Sequence, residues 1–301
     1  MKHVRLPAAV AALGLAGATV GLAQQSPVFS ARSELVVLHV LVKDRSGAYV
    51  GGLPADAFRV FEEKQPQPIR FFAAEDAPVT VGLLIDNSGS MSPVRDRVIA
   101  ASTTFVESSN PQDEVFALVF DDDVRPVLEP SAPFTSDAGV LRRALADAFR
   151  PAGRTALYDA VDRGLRYVLK GSRERQVLVV VSDGGDNASH AGFTGALIST
   201  QASNTTIYTV ALVDPLDSES NPGRLAKFAA TSGGASFAPH DVAGVDHALQ
   251  QIALDIRHSY TIGYEPPGAR RPPGFHRLRV DVRSPDGRKL VTRTREGYHA
   301  P

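Results

Sequence analysis

The sequence contains no cysteine and no tryptophan. The first absence excludes a disulfide framework, Cys-ligated zinc, an iron–sulfur cluster and a thiol nucleophile. The second, with only seven tyrosines, argues against an aromatic platform for stacking sugars or bases. An excess of one charge is also missing. The 32 basic side chains face 33 acidic ones, a net charge of −1, so whole-molecule electrostatics point to no nucleic-acid partner. There is no charged tail, low-complexity tract or short-period repeat. What remains is globular composition, 43% hydrophobic and 22% charged, in 301 residues, enough for roughly two domains.

Long apolar runs are scarce too, and the one at the start is short. Lys2, His3 and Arg5 precede an almost wholly apolar stretch from Leu6 to Val20. About 20 apolar residues are needed to span a bilayer. Gly21-Leu22-Ala23 supplies a small-x-small cleavage site, so residues 1–23 read as an export signal, with an uncleaved anchor as the alternative. No cysteine follows, which excludes a lipoprotein anchor. Removal of Lys2 and Arg5 leaves 30 basic against 33 acidic residues. No other segment reads as membrane-spanning. An exported chain that folds without disulfides suits a bacterial periplasm or cell exterior.

Between residues 76 and 257, apolar runs alternate with helical patterns. Val79 to Ile85 reads as an apolar run broken only by Thr80, the signature of a strand buried on both faces. Val115 to Phe120, Val124 to Leu128, Val177 to Val181, Ile207 to Val213 and Gly234 to Ala238 read as further strands. Ser92-Pro93 is expected to open a helix carrying Val94, Val98, Ala101 and Phe105 on one face. Ser136 is expected to cap a second, with Leu141, Leu145 and Phe149. Leu157, Ala160, Val161, Gly164, Leu165, Val168 and Leu169 form a helical stripe, and Asp241 caps a last helix with Val245, Leu249, Ile252, Ala253 and Ile256. The alternation implies a mostly parallel, doubly wound α/β sheet.

The flanks read as β structure. Glu34 to Lys43, Arg59 to Phe61 and Ile69 to Phe72 are strands in the segment 24–75. In 258–301, Tyr260 to Tyr264 is β-rich, Leu278, Val280 and Val282 alternate with polar residues, and Leu290 to Thr294 returns after the turn Ser284-Pro285-Asp286-Gly287. Each flank is small for a core of its own. We therefore expect one β-sandwich-like domain built from both, with the α/β domain inserted between them. Two independent modules are the alternative.

Candidate chemistry lies at strand ends. Asp86-Asn87-Ser88-Gly89-Ser90 follows the first central strand, and Ser182-Asp183-Gly184 leaves another. Thr155 precedes a helix. A carboxylate and hydroxyls are hard-oxygen ligands of the kind Mg2+ prefers, and open α/β sheets bind ligands beyond the carboxyl ends of their strands. Singly, each element also reads as a helix cap or turn. Asp121-Asp122-Asp123 reads as a hairpin turn or a second cation site, and Asp186 and Asn187 as supports of the Asp183 loop or mere turn residues. The segment 258–301 has nine Lys or Arg against four acids, read as the wet face of a sheet or an anionic-partner surface. Arg154 is exposed, or attracts an acidic ligand.

Together, Asp86, Ser88, Ser90, Thr155 and Asp183 resemble the metal-ion-dependent adhesion site of the von Willebrand factor A domain, Asp-x-Ser-x-Ser with a distant Thr and a distant Asp. The resemblance spans about residues 76–257. It implies a Rossmann-like sheet and a bound Mg2+ or Mn2+. It makes Ser88 and Ser90 direct ligands, Thr155 a direct or water-mediated one, and Asp86 and Asp183 mostly water-mediated. The flanks also resemble a bacterial group of secreted proteins related to this family, through Gly-Leu-Pro-Ala-Asp-Ala-Phe-Arg-Val-Phe-Glu at 52–62, Tyr-Thr-Ile-Gly-Tyr-Glu-Pro-Pro at 260–267 and Arg295-Glu296-Gly297-Tyr298.

The resemblance implies a non-enzymatic adhesion module. Hydroxyl ligands leave the cation electrophilic, and an Asp or Glu carboxylate from a protein partner completes its coordination. A metal-free scaffold of an envelope complex is one alternative. A Mg2+-dependent phosphohydrolase is another, weakened because Ser88 stands where a second Asp is needed. No Gly-x-Ser-x-Gly surrounds Ser88, neither His240 nor His258 is paired with a serine by the sequence, and no phosphate-binding Gly-x-x-x-x-Gly-Lys-Ser/Thr occurs.

Overall fold

The computed structural model describes residues 35–74, 76–213, 219–241, 243–266 and 272–300. The expected export signal over 1–23 lies outside them. Four strands come first: β1 (Val36–Asp44), β2 (Phe58–Glu62), β3 (Gln65–Gln67) and β4 (Ile69–Ala73). The α/β part follows as β5 (Val79–Asp86), α1 (Arg95–Glu107), β6 (Glu114–Phe120), β7 (Val124–Pro126), α2 (Ala138–Ala148), α3 (Leu157–Val168), β8 (Arg175–Ser182) and α4 (Phe193–Ala202). It continues through β9 (Thr206–Ala211), α5 (Pro222–Ser232), β10 (Ser236–Phe237) and α6 (Ala243–Arg257). The last strands are β11 (Ser259–Tyr264), β12 (Gly274–Val282), β13 (Leu290–Arg293) and β14 (Gly297–Ala300).

The central sheet has the order β10-β9-β8-β5-β6-β7. Its strands are parallel except β7, which runs antiparallel to β6. Every residue of β5 is buried, because helices cover both faces. Val79, Val81, Leu83 and Ile85 pack toward α1, α2 and α6. Leu84 packs on the other side, with side chains of α3, α4 and α5. At Gly82 a Cβ would stand 2.2 Å from the Phe116 ring, so only glycine lets that ring close against the strand. The chain runs outward from β5 to β6 and β7, then returns to build β8, β9 and β10 on the opposite side. The strand order therefore reverses between β5 and β8, and their carboxyl ends stand side by side: Ile85 pairs with Val181.

Both ends of the chain share the two remaining sheets, ordered β13-β1-β11-β4 and β14-β12-β2-β3. All of their strand pairs are antiparallel. One apolar core joins them, including Leu38, Val40, Phe58, Val60, Tyr260, Ile262, Val280 and Tyr298. The inserted α/β domain leaves after β4 and returns at β11, which are hydrogen-bonded neighbours.

Polar clamps tie the sandwich to the α/β domain. Asp255 of α6 is buried and accepts from Tyr49 Oη at 2.7 Å, pairs with Lys43 at 3.2 Å and is bonded by Arg293. Arg295 donates to Asn204 Oδ1 at 3.0 Å and to the Gln201 carbonyl at 2.7 Å, beyond and within α4. Burial lowers its pKa to about 10.

Several local expectations are corrected. Ser92-Pro93 lies inside a 3-10 turn, Gly89–Val94, and the α-helix begins at Arg95. The cap of α2 is Asp137, whose Oδ1 accepts from Gly139 N and Val140 N, so Ser136 does not serve. Asp241 Oδ1 does accept from Gly244 N at the start of α6. Residues 290–294 do not form a simple hairpin with 278–282: β13 crosses to the other sheet and pairs with β1, while β12 lies between β2 and β14. The helices α4 and α5 and the short strands β3 and β14 escaped the sequence reading.

Candidate metal centre

All five candidate residues meet at the reversal point of the central sheet. Asp86 closes β5 and is fully buried. Its Oδ1 accepts from Ser88 N at 2.9 Å and its Oδ2 from Ser182 Oγ at 2.6 Å. Ser182 Oγ in turn accepts from Gly184 N at 3.0 Å. Burial pushes the Asp86 carboxyl up to about 6, against the bonds from Ser182 and Ser88, and nearby Asp183 adds to the rise.

In front of Asp86, Ser88 Oγ and Ser90 Oγ lie 3.0 Å apart, and Ser90 Oγ donates to Asp183 Oδ2 at 2.8 Å. Asp183 Oδ1 is held by Gly185 N at 2.8 Å. Ser88, Ser90, Thr155 and Asp183 line one cavity of about 160 Å3. Ser88, Thr155 and Asp183 are buried in it, whereas Ser90, Arg154, Asn187 and Glu219 are exposed. A second hollow of about 280 Å3 shares the Ser90 wall and is lined by Met91, Leu212, Pro239 and Val245 among others.

The loops are fixed by surrounding polar side chains, among them Asn187, one of the two residues read as supports or turn residues. Asn187 Oδ1 accepts from Thr155 N at 2.9 Å, Asn187 N donates to the Thr155 carbonyl at 3.0 Å, and Asn187 Nδ2 donates to Glu219 Oε2 at 2.7 Å. Asp121-Asp122-Asp123 is the hairpin turn between β6 and β7, and two of its side chains reach the site loops. Asp121 accepts from Asn87 Nδ2 at 2.8 Å and from Arg125. Partial burial would raise its pKa, but the Arg125 and Asn87 bonds hold it at about 2. Asp122 accepts from Arg154 N at 3.2 Å and Arg154 Nε at 2.7 Å. Gly153 has φ +78°, and a Cβ there would meet Asp122 Oδ2 at 2.3 Å. Glycine thus serves both the left-handed backbone and the close approach of that carboxylate.

The donor set fits a small hard cation. An octahedral ion with ligand bonds of 2.0–2.1 Å separates adjacent oxygens by about 2.9 Å. The Ser88–Ser90 and Ser90–Asp183 separations, 3.0 and 2.8 Å, are hydrogen-bond contacts compatible with that edge. No group of three His, Asp or Glu side chains poised for a metal occurs among the described residues. The cluster instead pairs few carboxylates with neutral hydroxyls.

The family model for the von Willebrand factor type A domain matches residues 81–253. The chain belongs to this family. Solved structures share the fold at low identity. The von Willebrand factor type A protein from Catenulispora acidiphila is 14% identical, with TM-score 0.52, covering 90% of this chain and 75% of that one. The match extends well beyond the von Willebrand factor A domain itself. The von Willebrand factor domain of the type V pili tip protein Mfa5 from Porphyromonas gingivalis is 14% identical, with TM-score 0.50, covering 61% of this chain and 96% of that one. Proximal thread matrix protein 1 from the mussel byssus is 12% identical, with TM-score 0.50, covering 65% and 51%. No curated protein matches the chain. Within this von Willebrand factor A domain the candidate centre occupies the carboxyl ends of β5 and β8, and no helix among the described residues is long and apolar enough to cross a membrane.

Proposed function

We propose that the chain is an exported protein-binding module. Asp86, Ser88, Ser90, Thr155 and Asp183 hold Mg2+ or Mn2+, and an Asp or Glu carboxylate of a protein partner completes the coordination. The observation that carries this reading is the hydrogen-bonded Ser88–Ser90–Asp183 oxygen chain in an open cavity, with one carboxylate and two neutral hydroxyls. Neutral donors leave the cation electron-poor, so it draws an external carboxylate. The Mfa5 domain comes from a pilus tip protein, a setting consistent with binding at a cell surface.

Two features favour binding over catalysis. No histidine lines the cavity. Asp86, the only candidate nucleophile of a phosphohydrolase, is fully buried with both oxygens engaged. Calorimetric titration of Mg2+ and Mn2+ into the chain and into Asp86→Ala tests the proposal. Saturable binding that the variant loses, with unchanged circular dichroism, supports it. No binding by either protein favours the metal-free scaffold.

A further inference from the structure

A carboxylate that gives one oxygen to a cation brings a second oxygen into the cavity. That oxygen still carries charge and needs a donor. The cavity already holds the Asp183 carboxylate, with Glu219 at its mouth, and both repel the newcomer. Among the residues lining it, Arg154 is the single cation.

Arg154 is not a loose surface side chain. Its Nε and backbone N both donate to Asp122, at 2.7 and 3.2 Å, and Asp122 stands in the rigid turn between β6 and β7. The Nε bond tethers the guanidinium to Asp122, and the backbone bond holds the chain at its root. Its terminal amino groups make no hydrogen bond among the described residues, and 65% of the side chain is exposed. The next residue is Thr155, on the cavity wall. A guanidinium tethered through Nε, on a residue that lines the cavity and with its terminal amino groups unbonded among the described residues, can receive one carboxylate oxygen.

We propose that Arg154 is a specificity-determining residue that receives the second oxygen of the partner's carboxylate, selecting a carboxylate over a neutral oxygen ligand. This rests on the cation site proposed above. Asp122 is a positioning residue that acts through Arg154.

The test uses the full chain loaded with Mn2+, followed by water-proton relaxation, with an aspartate residue blocked at both ends as the probe. The probe displaces metal-bound water, so its affinity and that of Mn2+ are read separately. Arg154→Ala is expected to weaken the probe about tenfold, the usual scale of an accessible charge-assisted hydrogen bond, with Mn2+ affinity within twofold of the parent. Arg154→Lys recovers part of the loss, because an ammonium still donates. Probe affinity within twofold of the parent in Arg154→Ala overturns the proposal. So does an equal loss of Mn2+ affinity, which would make Arg154 a support of the Thr155 loop. Absence of Mn2+ binding in the parent chain removes the cation site itself, and this inference with it.

Discussion

Replacing Asp86 with Asn should stabilise the metal-free protein and abolish the gain that metal confers. The Asp86 carboxyl is displaced from 3.8 to about 6 in the folded state. At about 1.4 kcal/mol per pH unit, the ionised group costs the fold about 3 kcal/mol above pH 7. The folded state binds more protons than the unfolded state between about pH 4 and 6, so this stability is lost as pH rises through that window. Asn removes the charge. Its single carbonyl oxygen can still accept from Ser88 N, but Ser182 Oγ loses its acceptor, which costs about 1 kcal/mol. The net gain is about 2 kcal/mol in EDTA at pH 8, read from urea denaturation. At pH 5 the advantage narrows to below about 1 kcal/mol, because the parent carboxyl is largely protonated in the folded state. Adding Mg2+ at a hundredfold excess over its dissociation constant raises the parent by about 2.7 kcal/mol and leaves the variant unmoved, so the ranking reverses. A variant no more stable than the parent in EDTA at pH 8 refutes the argument from burial. A ranking that stays the same in Mg2+ refutes the metal site.

Three further outcomes are expected. Asp255→Asn leaves Lys43 and Arg293 facing no charge at a buried position, and should cost about 3 kcal/mol in urea denaturation. A loss under about 1 kcal/mol would show that the clamp is not a stabilising one. Gly153→Ala forces a Cβ against Asp122 at a left-handed backbone position. Mg2+ affinity by calorimetry should drop at least several-fold, and an unchanged value would contradict the role given to that loop. Burial, then Arg175 and Arg295, hold the His39 pKa well below 6.5. The unfolded state therefore binds more protons below pH 6.5, and stability falls on acidification by up to about 1.4 kcal/mol per pH unit. Measured in an Asp86→Asn background, where the opposing carboxyl is gone, His39→Gln should flatten that slope.

The parallel core was legible because its strands are buried on both faces. Val177 to Val181 carries no polar residue, and Val79 to Ile85 only Thr80, to blur the signal. The five candidate site residues were legible through their resemblance to the family motif, since strand-end position and local spacing taken singly fit caps and turns equally well. The helix α4 was not, since Phe-Thr-Gly-Ala-Leu-Ile-Ser-Thr-Gln-Ala distributes apolar residues around the whole helix and gives no stripe. The helix α5 carried a readable start, Asn221 capping before Pro222, that went unused. Short β3 and β14 take their identity from partners distant in sequence, which no local pattern encodes. The same holds for the supports of the site. Ser182, Asp122 and Glu219 act through side-chain contacts that exist only once distant loops have met. The tri-aspartate segment was legible as a turn or a cation site, but nothing local showed that its side chains would hold Asn87 and Arg154.

The placement of the inserted domain also decides how mechanical load travels. Tension applied across β1 and β14 is borne by the two sheets of the sandwich and their shared core. The α/β domain branches from the neighbouring strands β4 and β11, but Lys43 of β1 and Arg295 beside β14 also bind it directly. A partner pulling at the tips of β5 and β8 loads the molecule differently. Its force enters the sandwich through two hydrogen-bonded strands at once, seconded by Asp255 and Arg295. Under the proposed function, load on the site thus reaches the sandwich through a doubled root and two polar clamps.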